Sequence, residues 1–248
     1  MTCQTIADFH ITSHGEFSSS HWLAYFRANQ ATRPIPVRIE KIAIEKSIRE
    51  PVLRSLKRFQ IGESGDGKRL LTYAARLQDK DYLACAEMFI KEEQSHAQAL
   101  AEVILALDDT LLSWHWSDLC FVFLRHLSGL KTELLILFIA EIIGKCFYKM
   151  LAEKIENEAL SETFSLILLD ELLHLEFHSQ FLKTRFAGYP LVARQFLRFC
   201  LWLLFKVACF AFSLDHKGTL VALGTTGAAF SLTAESTFQL QAKRIFNL

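Results

Sequence analysis

Apolar residues recur at three- and four-residue steps along much of the chain, which is the spacing of amphipathic helices. The clearest run extends from a polar break at residues 78–81 to about Leu107 and includes Leu83, Phe89 and Val103. No segment alternates apolar and polar residues in the way that a half-buried strand does. The pattern therefore predicts an all-α fold.

Breaks in the pattern divide the centre of the chain into four long helices. Pro51 suits the first turn of the first helix, where its missing N–H has no intrahelical partner. Ser117 is a candidate N-cap for the third helix, and Asn157 marks the turn before the fourth. The expected bounds are about 51–77, 82–107, 117–155 and 158–186.

Three glycines interrupt the first of these helices, at Gly62, Gly65 and Gly67. Each costs about 1 kcal/mol in a helix interior. A loop explains them simply; alternatively, small residues here let another helix or a substrate approach closely. Both explanations stay open at the level of the sequence.

The central helices are flanked by two further regions. Residues 1–49 are expected to form a lead-in, loosely ordered to about residue 35 and able to pack over the domain, followed by a short helix over 37–50. Residues 50–187 form the four-helix unit, and residues 188–248 add C-terminal helices at roughly 190–214 and 219–245. A Gly-Thr-Thr-Gly-Ala-Ala run weakens the last of these.

Composition narrows the classes of function. The formal net charge of zero leaves no basic surface for nucleic-acid binding. The six cysteines form no C-x-x-C pair, which argues against a zinc ribbon, a rubredoxin-type site and a thioredoxin motif. Met1–His10 shows no signal peptide, so a cytoplasmic location is expected.

The most apolar segment is residues 196–214. Lys206 sits at its centre, and the apolar runs on either side fall short of the roughly 20 residues that span a bilayer. A buried or interfacial helix is expected, and it leaves room for peripheral contact with a membrane.

Two Glu-x-x-His motifs are candidates for metal binding: Glu93-x-x-His96 and Glu171-x-x-His174. Residues three apart share one helix face, so a carboxylate and an imidazole can reach one ion. About one such pair is expected by chance in a chain of this composition, so a motif counts only in context. The context is a repeat.

Glu63 precedes the first motif by the same interval at which Glu141 precedes the second. All three positions of the first half therefore recur in the second half with a single common offset. In an antiparallel hairpin, residues equidistant from the turn face each other, and the midpoints fall at the breaks near Gln78 and Asn157. With a rise of about 1.5 Å per residue, each half-site lies about 23 Å from its turn, at one level of a bundle.

Four further residues are candidates to support the ligands without binding the metal themselves. Glu92 and Asp170, related by the same offset, are placed to accept an imidazole N–H from the opposite half; a solvent-facing acid is the alternative. His178 is a third-ligand candidate but has no counterpart in the first half, so a supporting or core role is preferred. Tyr148 lies two turns beyond Glu141.

The pattern E…E-x-x-H…E…E-x-x-H resembles that of the ferritin-like di-iron carboxylate proteins, which include rubrerythrins, aldehyde-deformylating oxygenases and demethoxyubiquinone hydroxylases. The stretches FQIGESGDGKRLL and FIKEEQSHAQALAEVI also look like a bacterial "ferritin-like domain" group. The resemblance covers residues 50–186 and implies a ferritin-like four-helix bundle with two iron ions, or a Mn/Fe or Mn/Mn pair. It implies one glutamate of each E-x-x-H as a bridge and these ligands: Glu63, Glu93, His96, Glu141, Glu171 and His174.

Three functions are compatible with such a site. The first is an oxidase or oxygenase that uses O2 or peroxide on an apolar small molecule, with Phe59, Phe89, Phe138 and Phe177 as candidate lining residues. The second is a ferroxidase or peroxidase in iron handling or oxidative defence. The third is a metal-stabilised bundle that docks to a membrane or partner. A homodimer is compatible with each, and the electron donor is left open.

Overall fold

The computed structural model describes residues 17–32, 42, 44–107, 109–113, 115 and 129–248, and these residues fold as an all-α helical bundle. No strand occurs within these ranges. The helices are α1 (Ser19–Thr32), α2 (Lys46–Glu63), α3 (Lys68–Ala75), α4 (Lys80–Ala106), α5 (Gly129–Lys154), α6 (Glu158–Phe186), α7 (Leu191–Asp215), α8 (Lys217–Ala222) and α9 (Gly227–Phe246).

Two helix pairs form the centre. A short connection joins α5 to α6, and the two pack along each other as an antiparallel hairpin, while α2 packs on α4 and α4 contacts α6. Asp79 caps α4 by accepting a hydrogen bond from the Tyr82 amide at 2.9 Å. Asn157 caps α6 in the same way, with the Leu160 amide at 3.1 Å. The predicted second and fourth helices therefore begin where the polar breaks placed them.

The first central helix differs from its prediction. It begins at Lys46 rather than Pro51, continues through Pro51 and ends at Glu63. The inward face of Val52, Leu53 and Leu56 is fully buried, and this packing outweighs the hydrogen bond that proline removes.

A break at residues 64–67 then separates α2 from α3, so the glycine-rich stretch is a turn and the prediction of one helix to Leu77 was wrong. Gly67 has φ +60°, and a Cβ there would lie 2.2 Å from Ile90 Cδ1. Glycine is required at this position by both backbone conformation and space.

The third central helix is α5, described from Gly129 to Lys154, and its end agrees with the predicted end near Ile155. The start predicted at Ser117 lies outside the described residues, as do residues 37–41 and 43 of the short helix predicted over 37–50. Within that second span, only the part from Lys46 onward is described as helical.

Part of the expected loose lead-in is the helix α1, which packs along α4. Trp22, Leu23, Phe26 and Asn29 of α1 are buried. The Trp22 indole N–H donates to Gln180 Oε1 of α6 at 3.0 Å. The segment therefore packs over the domain, as the sequence allowed, but the description of residues 17–32 as loosely ordered was wrong, because 19–32 form a helix.

The C-terminal region packs on the bundle through all three of its helices: α9 contacts α5, α6 and α7, and α8 contacts α2. The second predicted helix is broken around Gly224, which has φ +68°, and Thr226 caps α9. Among the described residues, α7 is the one helix long and apolar enough to cross a membrane. Its inner face, with Leu201, Phe205 and Cys209, is buried in the protein.

Candidate metal centre

The six residues predicted as ligands come together between the two hairpins. Glu63 is the last residue of α2, Glu93 and His96 lie in α4, Glu141 in α5, and Glu171 and His174 in α6. Their ligand atoms form two overlapping sets, each with all its atoms within 4.8 Å of one another. One set is Glu63, Glu93, His96 and Glu171; the other is Glu93, Glu141, Glu171 and His174.

Glu93 and Glu171 belong to both sets. A carboxylate has two oxygens, so each of these glutamates can contact two ions at once. Divalent ions bind carboxylate oxygen and imidazole nitrogen at about 2.0–2.2 Å, which places ligands on opposite sides of an ion about 4.0–4.4 Å apart. The observed spread of ligand atoms fits this size.

Both imidazoles turn Nδ1 toward the carboxylates. Nδ1 of His174 lies 3.0 Å from Glu93 Oε1 and 3.7 Å from Glu141 Oε2. Nδ1 of His96 lies 3.4 Å from Glu171 Oε1 and 3.7 Å from Glu93 Oε1. Each half therefore points one nitrogen and its glutamates at a common centre.

The opposite nitrogens are held by acids from the other half. Nε2 of His96 lies 3.1 Å from Asp170 Oδ2, and Nε2 of His174 lies 2.8 Å from Glu92 Oε2. An N–H donated from Nε2 to a carboxylate leaves the Nδ1 lone pair of a neutral imidazole facing the centre. This is the arrangement in which histidine binds a metal.

Asn29 of α1 links these two acids. Its side-chain N–H donates to Glu92 Oε1 at 2.6 Å and to Asp170 Oδ1 at 3.0 Å. Sequence reasoning missed this residue because it fell in the expected lead-in. The sequence feature that could have identified Asn29 is its spacing from Trp22 and Phe26. This spacing puts a polar side chain on the buried face of a helix.

Two residues of α5 lie beside ligand carboxylates: one donates a hydrogen bond and the other leaves space. The Tyr148 hydroxyl donates to Glu63 Oε1 at 2.7 Å, and burial together with the Glu63 charge holds the Tyr148 pKa well above its ordinary value. Gly144 was not predicted to matter, yet a Cβ there would lie 3.1 Å from Glu171 Oε2. The absent side chain leaves space for that carboxylate.

Other candidates lie away from the two sets. His178 is buried, and its ring packs 4.8 Å from the ring of Phe89, which in turn packs 4.7 Å from the ring of His174. His178 thus lies one aromatic layer from the centre. Two other glutamates of these helices also lie outside both sets: Glu133 is buried 3.7 Å from Arg69, and Glu87 is exposed.

The charges at the centre are strongly coupled. Burial, followed by repulsion from neighbouring carboxylates, holds the pKa of Glu63 and Glu171 well above the usual range, and Glu141 is raised for the same reasons. Burial acts upward on Glu93 as well, but the adjacent His174 ring outweighs it and lowers the pKa to about 2. Burial would lower the pKa of His174, yet the carboxylates of Glu141, Glu92 and Glu93 around its ring hold it well above its usual value.

Four atoms at the centre are buried and form no hydrogen bond within the part of the chain that the structure describes: Glu93 Oε1, Glu141 Oε2, Glu171 Oε1 and His174 Nδ1. Buried polar atoms without a partner are costly, and buried carboxylates without a cation more so. All four are ligand atoms that face one another. The buried Glu and His groups are therefore able to hold a metal ion.

A cavity of about 480 Å³ reaches the centre from one side. Glu63, Glu93, Glu141 and Glu171 belong to its lining, and most of the remaining lining is apolar. Phe59 and Phe89 line it as predicted. Phe138 packs on Phe238 instead, and Phe177 packs against α1, so two of the four lining predictions were wrong.

The glycine-rich break and the C-terminal region supply much of the cavity wall. Gly62, Gly65 and Gly67 line it, as do Ala208 and Ala211 of α7. The small residues of the break thus form a turn and also leave space beside the carboxylates.

Comparisons with protein-family models, with curated proteins and with solved structures give no match to this chain.

Proposed function

We propose that the chain is a ferritin-like di-metal protein that activates O2 or peroxide and oxidises an apolar small molecule. The observation that carries the proposal is the pair of overlapping ligand sets, which share Glu93 and Glu171 and meet at the end of an apolar cavity. Each of the two helix pairs contributes one further glutamate and one Glu-x-x-His motif to these sets, which supports the ferritin-like bundle.

The ligand atoms favour iron or manganese. Four carboxylates and two imidazoles form a set rich in hard oxygen, which suits these ions better than copper, and thiolates are absent from both sets. A bound pair of such ions supplies the redox chemistry with dioxygen or peroxide.

The residues of the chain have distinct tasks in this proposal. Glu93 and Glu171, which belong to both sets, would be shared between two ions, and His96 and His174 would each hold one. The N–H groups that both imidazoles donate to Asp170 and Glu92 fix the orientation of the rings. Tyr148 orients Glu63, the ligand at the end of α2.

The cavity supports an organic substrate over simple iron oxidation. Its volume of about 480 Å³ lies in the range of small-molecule sites, about 300–1,000 Å³. Its apolar walls favour a hydrophobic molecule, and they exclude water from the carboxylates. A hydrated iron ion gains little from the apolar part of these walls, because apolar side chains cannot replace its water.

Oxygen consumption by the Fe(II)-loaded protein tests the proposal, measured with and without a panel of fatty aldehydes, fatty acids and quinones. We expect at least one class to raise O2 uptake and to yield an oxidised product. Ala208→Phe, which fills the cavity, is expected to reduce this uptake at least tenfold while the metal content is kept. Val192→Phe, exposed on the same helix, is the matched control.

Oxygen uptake that is the same with and without every organic compound, and the same in Ala208→Phe, contradicts the proposal. That outcome identifies a ferroxidase or peroxidase instead.

A further inference from the structure

We propose that the outer face of α7 docks on an anionic membrane surface and that the cavity opens there, so that the apolar substrate enters from the lipid. The docking part stands on the surface of the protein alone. The substrate part rests on the proposed function.

The surface consists of large apolar side chains that are 45–66% exposed, on one face of a 25-residue helix. They recur at three- and four-residue steps, so they form one continuous stripe. We call it the α7 stripe: Phe196, Phe199, Leu203, Val207, Phe210 and Leu214. An apolar face of this length on a protein surface marks a binding site for a partner or a membrane.

The charge around the stripe selects the partner. From Phe177 to Leu214 the chain contains five Lys or Arg residues and no Asp or Glu. Four of them, Lys183, Arg185, Arg194 and Arg198, flank the turn that joins α6 to α7, at one end of the stripe. Anionic lipid headgroups are attracted to such a basic cluster, whereas a second copy of the same surface is repelled by it.

Lys206 does not interrupt the apolar face. Its ammonium group lies 2.9 Å from Glu235 of α9, which also accepts the Trp202 indole N–H at 3.0 Å. The charge is neutralised on the flank of α7. The stripe is therefore free of charged residues along its length.

The helix lies along the membrane in this arrangement rather than across it. Leu201, Phe205 and Cys209 on the inner face belong to the protein core, and Ala208 and Ala211 form part of the cavity wall. A transmembrane α7 would remove these residues from the bundle and would place the Lys206–Glu235 pair in lipid. An interfacial orientation keeps both intact and buries only the stripe.

The cavity joins the stripe at Val207. This side chain is 64% exposed and belongs to both the stripe and the cavity lining. Leu204 and Ala211, next to stripe residues Leu203 and Phe210, continue the lining inward. An apolar molecule in the bilayer therefore has an apolar path into the cavity that Glu63 and Glu141 also line.

Flotation of the full-length protein with vesicles tests the docking without any need for turnover, so its failure is distinct from failure of the oxidase proposal. Vesicles contain phosphatidylcholine alone or with phosphatidylglycerol. We expect the wild-type protein to float with the anionic vesicles. The Phe210→Glu variant is expected to bind these vesicles at least tenfold more weakly. Leu105→Glu, an equally exposed apolar residue on α4, is the matched control and is expected to float.

Wild-type protein that fails to float, or Phe210→Glu that floats like wild type, overturns the docking. A wild-type dimer on light scattering that Phe210→Glu converts to a monomer, with no vesicle binding, assigns the stripe to a second copy and also overturns it.

The opening of the cavity has its own readout. Tryptophan introduced as Val207→Trp is expected to be quenched by anionic vesicles with brominated acyl chains, while Leu105→Trp is not. Equal quenching of the two variants contradicts a cavity that opens into the lipid.

Discussion

Asn29 is the residue on which the arrangement of the two imidazoles depends. One amide group donates to both Glu92 and Asp170, and these acids hold His174 and His96. Without the amide, two buried carboxylates would face each other across the same space. The single residue therefore ties both halves of the site to α1.

Replacement of Asn29 tests this role. Asn29→Ala is expected to weaken metal binding by roughly 10- to 100-fold, the usual cost of losing an outer-sphere partner. Asn29→Asp is expected to be worse, because it adds a third carboxylate. Competition with a chelator measures the affinity, and Thr32→Ala, exposed on the same helix, serves as the control. Unchanged affinity in Asn29→Ala contradicts the role.

Two glycines offer a second comparison at the scale of single residues. Gly144→Ala places a methyl group about 3.1 Å from Glu171 Oε2 and is expected to lower the metal content. Gly62→Ala has nothing within 4 Å of the new carbon. It is expected to keep the metal and to gain up to about 1 kcal/mol of stability in the helix. Elemental analysis measures the metal content of both variants. Equal metal content in the two contradicts a role for Gly144 at the site.

At the scale of the elements, the sequence predicted the start of a helix where a local interaction, such as an N-cap, determines it. Helices α4 and α6 begin at Asp79 and Asn157 because each caps its own helix, and the common offset between the two halves brings the ligand sets to one level. The break after Glu63 was left open, since its glycines fit a turn or a close contact equally well. The structure shows that the break is a turn in which Gly67 lies against Ile90 of α4.

The helical structure of α1 was not predicted, although packing of this segment over the domain was allowed. Its mixed sequence has a weak apolar face, and its packing depends on the surface that α4 and α6 present. Asn29, and with it the link between Glu92 and Asp170, was lost from the prediction for that reason.

The α2–α3 break is expected to be sensitive to a single methyl group. Gly67→Ala forces a left-handed conformation that costs about 1–2 kcal/mol, and it requires Ile90 to move as well. Gly65→Ala meets nothing within 4 Å and is the control. Denaturant unfolding measures both free energies. A Gly67→Ala variant as stable as Gly65→Ala contradicts the structure of this turn.

At the scale of the whole molecule, the bundle buries several carboxyl groups, and it cannot neutralise their negative charges alone when all of them are ionised. In the folded metal-free protein Glu63, Glu141 and Glu171 hold their protons to a higher pH than free glutamates do, since their pKa values are raised by burial and by neighbouring carboxylates. A bound cation replaces those protons. Stability, pH and metal binding are therefore linked.

The metal-free protein is expected to lose stability as the pH rises. Unfolded glutamates release their protons near pH about 4.3, whereas the raised groups hold theirs, so the free energy of unfolding falls above that pH. His174, with its raised pKa, adds stability that is lost in the same direction, and Glu93, with a pKa of about 2, contributes a constant amount above pH about 5.

Thermal unfolding with and without metal measures this linkage. The stabilisation by Fe(II) or Mn(II) is expected to increase from pH about 5 to pH about 8, because the ion competes with fewer protons at higher pH. A metal-induced shift that is independent of pH contradicts the link between the buried carboxylates and the ion.

Metal stoichiometry is the most direct test of the central claim. Elemental analysis with Mössbauer spectroscopy of the 57Fe-loaded protein is expected to show two iron ions per chain in a coupled pair. His174→Gln is expected to lose at least one ion, whereas His178→Gln, a buried histidine one turn further along α6, keeps both. One ion or none in the wild-type protein, or equal loss in both variants, contradicts a di-metal centre built from the two ligand sets.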